Sequence, residues 1–156
     1  MHTVITRSLI STLLFAIATS SFAQAGEGED ASAVDLVVTE VSTPDLIVPQ
    51  ESTFTISSTI NNEGKTASSD EISVKFYLSE DATITSTDIE MDESLTVPEL
   101  AAGASDSQEM LLTVPESVLP GIYFVGVIVD GSNQQPETNE SNNSNSPSTT
   151  TITVVF

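Results

Sequence analysis

The chain is 156 residues long, with 23 Asp and Glu against 3 Lys and Arg, a formal net charge of −20 at pH 7, no Cys and no Trp. A field this negative excludes nucleic acid as a partner, since phosphate is gripped by clustered Lys and Arg, and it repels an anionic membrane surface. Without Cys there are no disulfides, so burial alone must hold the fold, and the length suits one domain with one core.

Residues 1–25 read as a secretory signal, with Arg7 in a short n-region, an apolar run around Leu9 to Phe22, and Ala23-Gln24-Ala25 as a small-x-small cleavage site. The run is interrupted by Ser and Thr and falls short of the ~20 residues that span a bilayer. Cleavage after Ala25 and a secreted or periplasmic bacterial product are therefore expected. Cleavage removes His2 and Arg7, leaving Lys65 and Lys75 as the only side-chain cations. Residues 26–33 are acidic and rich in Gly and Ala, as in a disordered leader, and the folded domain is expected over 34–156.

From Val34 onward, apolar residues recur with period 2 and no helical period is sustained. Strands are expected at Asp35 to Ser42, Thr53 to Asn61, Ile72 to Ser79, Ser94 to Val97, Gln108 to Val114, Gly121 to Asp130 and Thr149 to Phe156. The pattern also allows a short one at Leu46 to Val48. Phe54, Ile56 and Ile60 alternate with Ser and Thr, and Ile72, Val74, Phe76 and Leu78 alternate with Ser73, Lys75 and Tyr77, so each strand has a buried and a wet face. Met110, Leu112 and Val114 form a third such face, and Ile152, Val154 and Phe156 a fourth. The segment Gly121 to Asp130 is apolar on both faces, as in the middle of a sheet. About seven short strands at regular spacing predict an all-β, immunoglobulin-like antiparallel β-sandwich. Its inter-sheet core is expected to hold Phe54, Ile56, Val74, Phe76, Leu112, Tyr123, Val125 and Val127, with Tyr123 placed to make a tyrosine corner. Asn61-Asn62-Glu63-Gly64 reads as a turn with a positive φ at Gly64. Pro49 and Pro98 fall near strand edges, where a missing N–H is tolerated.

Taken in order, the segments Asp35-Leu36-Val37-Val38, Phe54-Thr55-Ile56, Asn62-Glu63-Gly64, Phe76-Tyr77-Leu78-Ser79-Glu80-Asp81 with Asp88 beyond, Leu100-Ala101-Ala102-Gly103, Leu119-Pro120-Gly121-Ile122-Tyr123, Val129-Asp130 and Glu137-Thr138-Asn139-Glu140-Ser141-Asn142-Asn143 resemble CARDB, the cell-adhesion-related domain found in bacteria. The resemblance covers nearly the whole chain after the signal. Each piece is common in sandwich proteins, and their order and spacing make the match specific. It departs at Gln135-Pro136 and at Met91-Asp92, so the resemblance does not carry over to the local shape of those two segments. It implies an immunoglobulin-like sandwich and an extracytoplasmic interaction module, and it brings no catalytic residues and no ligand.

Chemistry-bearing side chains concentrate in the loop after Asp130. Asp130, Asn133, Glu137, Asn139, Glu140, Asn142 and Asn143 are an oxygen-rich set of the kind a hard cation such as calcium takes, six to eight oxygens at a time. The competing structural reading is that the Asn side chains make Asx-turns and satisfy loop backbone groups. A second acidic connection, Ser79 to Glu93, carries Asp81 and Asp88 with Glu80, Glu90, Asp92 and Glu93, and reads structurally as a solvated loop.

Catalysis is the weaker reading. A serine nucleophile has no His to activate it after the signal is removed, and transition-metal hydrolysis lacks His and Cys ligands. Sugar binding is disfavoured because there is no Trp platform, with Tyr77 and Phe124 the only aromatics expected to face outward. The sequence thus points to an exported non-catalytic module for adhesion or assembly whose partner is a protein or cell-surface component. An accessory subunit of one exported protein is the first alternative, and a small carboxylate-dependent hydrolase the second.

Overall fold

The computed structural model describes residues 33–69 and 71–156, so the signal expected at 1–25 and all but one residue of the leader expected at 26–33 lie outside the described residues. Eight strands follow in order: β1 Leu36–Ser42, β2 Ile47–Pro49, β3 Thr53–Asn62, β4 Ile72–Ser79, β5 Ile89–Val97, β6 Ser105–Thr113, β7 Gly121–Val129 and β8 Thr151–Val155. They form a three-stranded sheet, β1-β3-β6, and a five-stranded sheet, β2-β8-β7-β4-β5. All pairings are antiparallel except β2 with β8, which run parallel over Ile47–Pro49 and Thr153–Val155. No described helix is long and apolar enough to cross a membrane.

The core lies between the two sheets and includes every one of the eight residues expected there, with Phe54, Ile56, Val74, Phe76, Leu112, Val125 and Val127 at 1% exposure or less and Tyr123 at 5%. Alternation along β3 is complete, because Phe54, Ile56, Ser58, Ile60 and Asn62 face in while the Thr and Ser residues between them face out. The Tyr123 hydroxyl donates to the Leu119 carbonyl at 2.9 Å, which makes the tyrosine corner and fixes the entry into β7.

Four local expectations need correction. The acidic stretch after Ile89, expected to belong to a loop up to Glu93, is the first half of β5, whose Met91 is buried while Glu90 and Asp92 face solvent. Charges on a sheet edge hide the strand from a hydrophobic pattern and discourage edge-to-edge association. Gly64 does not have a positive φ; a Cβ there would lie 2.0 Å from the Ala33 carbonyl oxygen, so close backbone approach requires the glycine. Phe156 is 94% exposed because it lies past the last pairing of β8. Tyr77 does project from the outer face of its sheet, yet it is 2% exposed, packed with Ile84, Ile128 and Phe124 under the β4–β5 connection.

Candidate functional site in the late loop

β8 is shorter than β7 and pairs only with Gly121 to Phe124, which leaves the rest of one β7 edge without a strand partner. The loop from Asp130 to Thr150 replaces it. Val125 N–H donates to the Thr150 carbonyl at 2.8 Å and Val129 N–H to the Asn143 carbonyl at 2.9 Å. Between them the Asn145 side chain acts as a substitute peptide group, its Oδ1 accepting from Val127 N–H at 2.8 Å and its Nδ2 donating to the Val125 carbonyl at 3.0 Å. Ser148 Oγ donates to the same carbonyl at 2.8 Å. Buried backbone groups have to be paired, and here a side-chain amide supplies what an eighth strand of full length would have supplied.

The same loop ties the two sheets together. Glu137 Oε2 accepts from Leu36 N–H at 2.5 Å and its Oε1 accepts from Asn143 Nδ2 at 2.6 Å. Asn142 Nδ2 donates to Asp35 Oδ1 at 2.8 Å, and Thr138 N–H to the Val34 carbonyl at 2.8 Å. Glu137 is thus the link between the start of β1 and the loop. Burial pushes its carboxyl up from about 4.5 to about 7; the bonds from Leu36 and Asn143 oppose that rise, and the nearby Glu140 and Asp130 charges add to it.

Asp130 follows β7 at 3% exposure with φ 44°, and its carboxylate accepts from Gln134 N–H at 3.0 Å and Gln135 N–H at 2.7 Å. Those bonds hold a left-handed turn that Asp and Asn tolerate better than other side chains, and Asn133 follows at φ 49°. Glu140 Oε1 accepts from Glu137 N–H at 2.9 Å, and Asn139 Oδ1 accepts from Ser141 N–H at 3.1 Å. Among the described residues no three carboxylates are grouped so as to hold an ion. Two oxygens of this loop stay buried without a partner, Asn142 Oδ1 and Asn143 Oδ1. Asn143 borders a hollow of about 170 Å³ that Asp130, Asn133 and Glu140 also line.

The second acidic connection is organised in the same manner. Asp81 Oδ1 accepts from Thr83 N–H at 2.7 Å, while Asp88 accepts from Ser79 Oγ at 3.1 Å and from Thr85 N–H at 2.7 Å. The first is an Asx turn, the second ties Asp88 back to Thr85 and to the end of β4, and both shape the loop over Tyr77. Of the sequence-predicted set, the structure brings Asp130, Asn133, Glu140 and Asn143 around one hollow, whereas Glu137 is bonded to Leu36 and Asn143, Asn142 to Asp35, and Asn139 locally to Ser141. Asn145 and Ser148, which complete the β7 edge, were not singled out from the sequence. The only signal for them was an amide and a hydroxyl in a Gly-free, Pro-containing stretch too polar to read as a strand.

Two β-sheets packed face to face with a tyrosine corner at the start of β7 define an immunoglobulin-like sandwich. The chain belongs to the CARDB family, whose model it matches over residues 33–147. Solved structures agree on the fold. The CARDB domain of PF1109 from Pyrococcus furiosus, crystallised in complex with di-metal ions, is 22% identical, with a TM-score of 0.54 over 79% of this chain and 94% of that one. The solution structure of the same domain gives the same identity and TM-score. A domain of a protein designated a cell surface protein in Methanosarcina acetivorans is 24% identical, with a TM-score of 0.57 over 80% of this chain and 94% of that one. Among curated proteins, none matches the chain.

Proposed function

We propose that the chain is an exported, non-catalytic interaction module of the cell surface that works in adhesion or assembly. The observation that carries this reading is how the late loop uses its polar side chains: Asp130, Glu137, Glu140, Asn142 and Asn145 all bond the domain's own backbone or a neighbouring loop side chain. A loop committed in this way stiffens a connector between sheets and leaves no nucleophile beside a base. The secretory signature at 1–25 supports export, and the likeness to a cell surface protein of Methanosarcina acetivorans supports placement at the surface. The test is saturable binding of the labelled exported chain to cells or matrix, with a pull-down beside it. One stoichiometric partner would favour the accessory-subunit alternative. Turnover of an ester or glycoside panel, lost when neighbouring acids are neutralised, would replace both with a hydrolase.

Calcium stiffening is the second reading, favoured by the two buried, unpartnered oxygens Asn142 Oδ1 and Asn143 Oδ1 in a loop that also holds Asp130, Glu137 and Glu140. The di-metal ions of the Pyrococcus furiosus CARDB domain are in line with it. The donor set is oxygen only, which suits a hard cation, and the carboxylates would have to offer lone pairs beyond those given to the backbone. A melting series in micromolar to millimolar Ca²⁺, set against Mg²⁺ and matched NaCl, decides it. A bound ion raises the melting temperature where ionic strength barely changes, and Glu140→Gln or Asn143→Ala abolishes the rise. If Ca²⁺ does no more than matched salt, the loop is structural alone.

A further inference from the structure

Among the described residues, the large apolar side chains standing out in solvent are Leu46, Ile47, Leu111, Leu119, Ile122 and Phe156. Ile47 and Ile122, at 68% and 67% exposure, are opposite the same residue, Thr153, one from each side. They therefore form one row across β2, β8 and β7 on the outer face of the five-stranded sheet, since directly paired residues share a face. Pro49 and Val155 continue that face by one row on one side and Phe124 and Thr151 by one row on the other. None of these side chains is charged. Leu46, whose carbonyl accepts from Thr153 N–H, precedes Ile47, and Leu119 lies just ahead of β7.

The surroundings of this strip carry one sign of charge. Asp81 N–H donates to Ser79 Oγ, and Ser79 is opposite Phe124, so the acidic β4–β5 connection leaves the sheet beside the strip. Glu51 lies two residues past the end of β2, and Glu116 is brought beside that end, its backbone carbonyl accepting from Gln50 Nε2 at 3.3 Å. Lys75 on the same sheet is paired with Glu90 at 2.6 Å, and Lys65 sits in the turn after β3 of the other sheet, where its backbone N–H donates to the Ala33 carbonyl. An apolar surface of this kind in a soluble protein marks a place of contact.

We propose that the outer face of β2, β8 and β7, centred on Ile47, Thr153 and Ile122, docks a partner protein whose contact surface is apolar at its centre and ringed by Lys and Arg. Charge complementarity chooses this occupant. A second copy would set the same acidic rim against itself, whereas a basic rim gains attraction and steers encounter. Pro49, which has no N–H, also leaves the free edge of β2 a poor template for an added strand, so the face carries the contact and the edge does not. The inference rests on the interaction-module reading and names the surface it uses.

The test uses the exported chain, isotope-labelled, with three eight-residue peptides as probes: alternating Leu and Lys, alternating Ser and Lys, and alternating Leu and Glu. The Leu-Lys peptide should shift amide signals of residues 46–48, 119, 121–124 and 151–155, with salt weakening its binding. Ile47→Ser with Ile122→Ser should reduce that affinity by about tenfold or more while the melting temperature stays unchanged, because both side chains are exposed. The Ser-Lys peptide should spread over the acidic loops without settling on the strip. The proposal is overturned if the Leu-Lys peptide maps elsewhere, if the double substitution leaves its affinity unchanged, or if sedimentation shows the chain pairing with itself through Ile47 and Ile122. Cell or matrix binding that survives the double substitution sinks this docking surface alone; failure of the unaltered chain to bind cells or partner sinks the module reading.

Discussion

Asn145 is the sharpest place to test the idea that the late loop completes β7. Truncation to Ala removes the acceptor for Val127 N–H and one of two donors to the Val125 carbonyl, both on a strand whose inward residues are fully buried. A buried backbone donor left unpaired costs about 1 to 3 kcal/mol, while the Val125 carbonyl keeps its bond from Ser148 Oγ and adds little. The expected loss for Asn145→Ala is therefore about 2 kcal/mol, or roughly 6 to 10 °C in melting temperature for a domain of this size. Ser148→Ala alone should cost under about 1 kcal/mol for the mirror-image reason. Together the two leave the carbonyl with neither donor, so the double variant should lose at least about 0.5 kcal/mol more than the sum. Urea unfolding with unchanged m-value supplies the free energies, and hydrogen exchange at Val127 reports the bond itself. A loss below about 0.5 kcal/mol for Asn145→Ala, with Val127 still protected, would refute the substitute-strand argument.

Glu137 makes stability fall as pH rises. Its folded pKa of about 7 exceeds its ordinary 4.5, so the folded state holds the extra proton between those values, and the associated stability is complete below pH 4.5 and lost through pH 7. With the carboxyl half-exposed the effect is on the order of 1 kcal/mol, and Glu137→Gln should flatten that part of the melting-temperature profile; an unchanged profile would contradict it. Gly126→Ala would put a Cβ 2.5 Å from Ile84 Cγ2, lifting the β4–β5 connection off Tyr77 at a cost of about 1 to 3 kcal/mol. Adding Ile84→Ala should recover part of that loss, and no recovery would show that the contact is not the cause. Phe76→Ala should cost ~3 to 5 kcal/mol in chemical unfolding, and a loss below about 1 kcal/mol would mean that Phe76 is not in the inter-sheet core.

Legibility from the sequence followed the strength of the hydrophobic pattern. β4 and β7 were readable because their inward positions are large and apolar over four consecutive turns of the pleat, β3 because Phe54, Ile56 and Ile60 alternate with Thr and Ser, and Tyr123 because Leu-Pro-Gly precedes it at the spacing of a corner. β5 was half read, since Glu90, Asp92 and Glu93 mask an alternation that is real only where the strand is a sheet edge with water on one side. At Glu93 the bulge in the β4–β5 pairing turns the side chain back toward β6, where it accepts from Thr113 N–H at 3.1 Å, and no local pattern encodes that reversal.

The candidate site divides along the same line. That the loop from Asp130 to Asn143 is rich in oxygen donors is a property of composition and stands in the residue list. Which oxygens are free is decided by partners 100 and more positions away, because Leu36 N–H takes Glu137 and Asp35 takes Asn142. The apolar strip shows the point most plainly: Ile47 and Ile122 look in sequence like two ordinary strand residues, and only the parallel pairing of β2 with β8 and the antiparallel pairing of β7 with β8 set both beside Thr153 on one face. Residue type and period determine that a segment is a strand and which side of it is greasy, since both follow from the backbone's own geometry. Neighbours across a sheet, the exposure of an acid and the chemistry of a surface depend on strand order and register, and those exist only once the chain has folded.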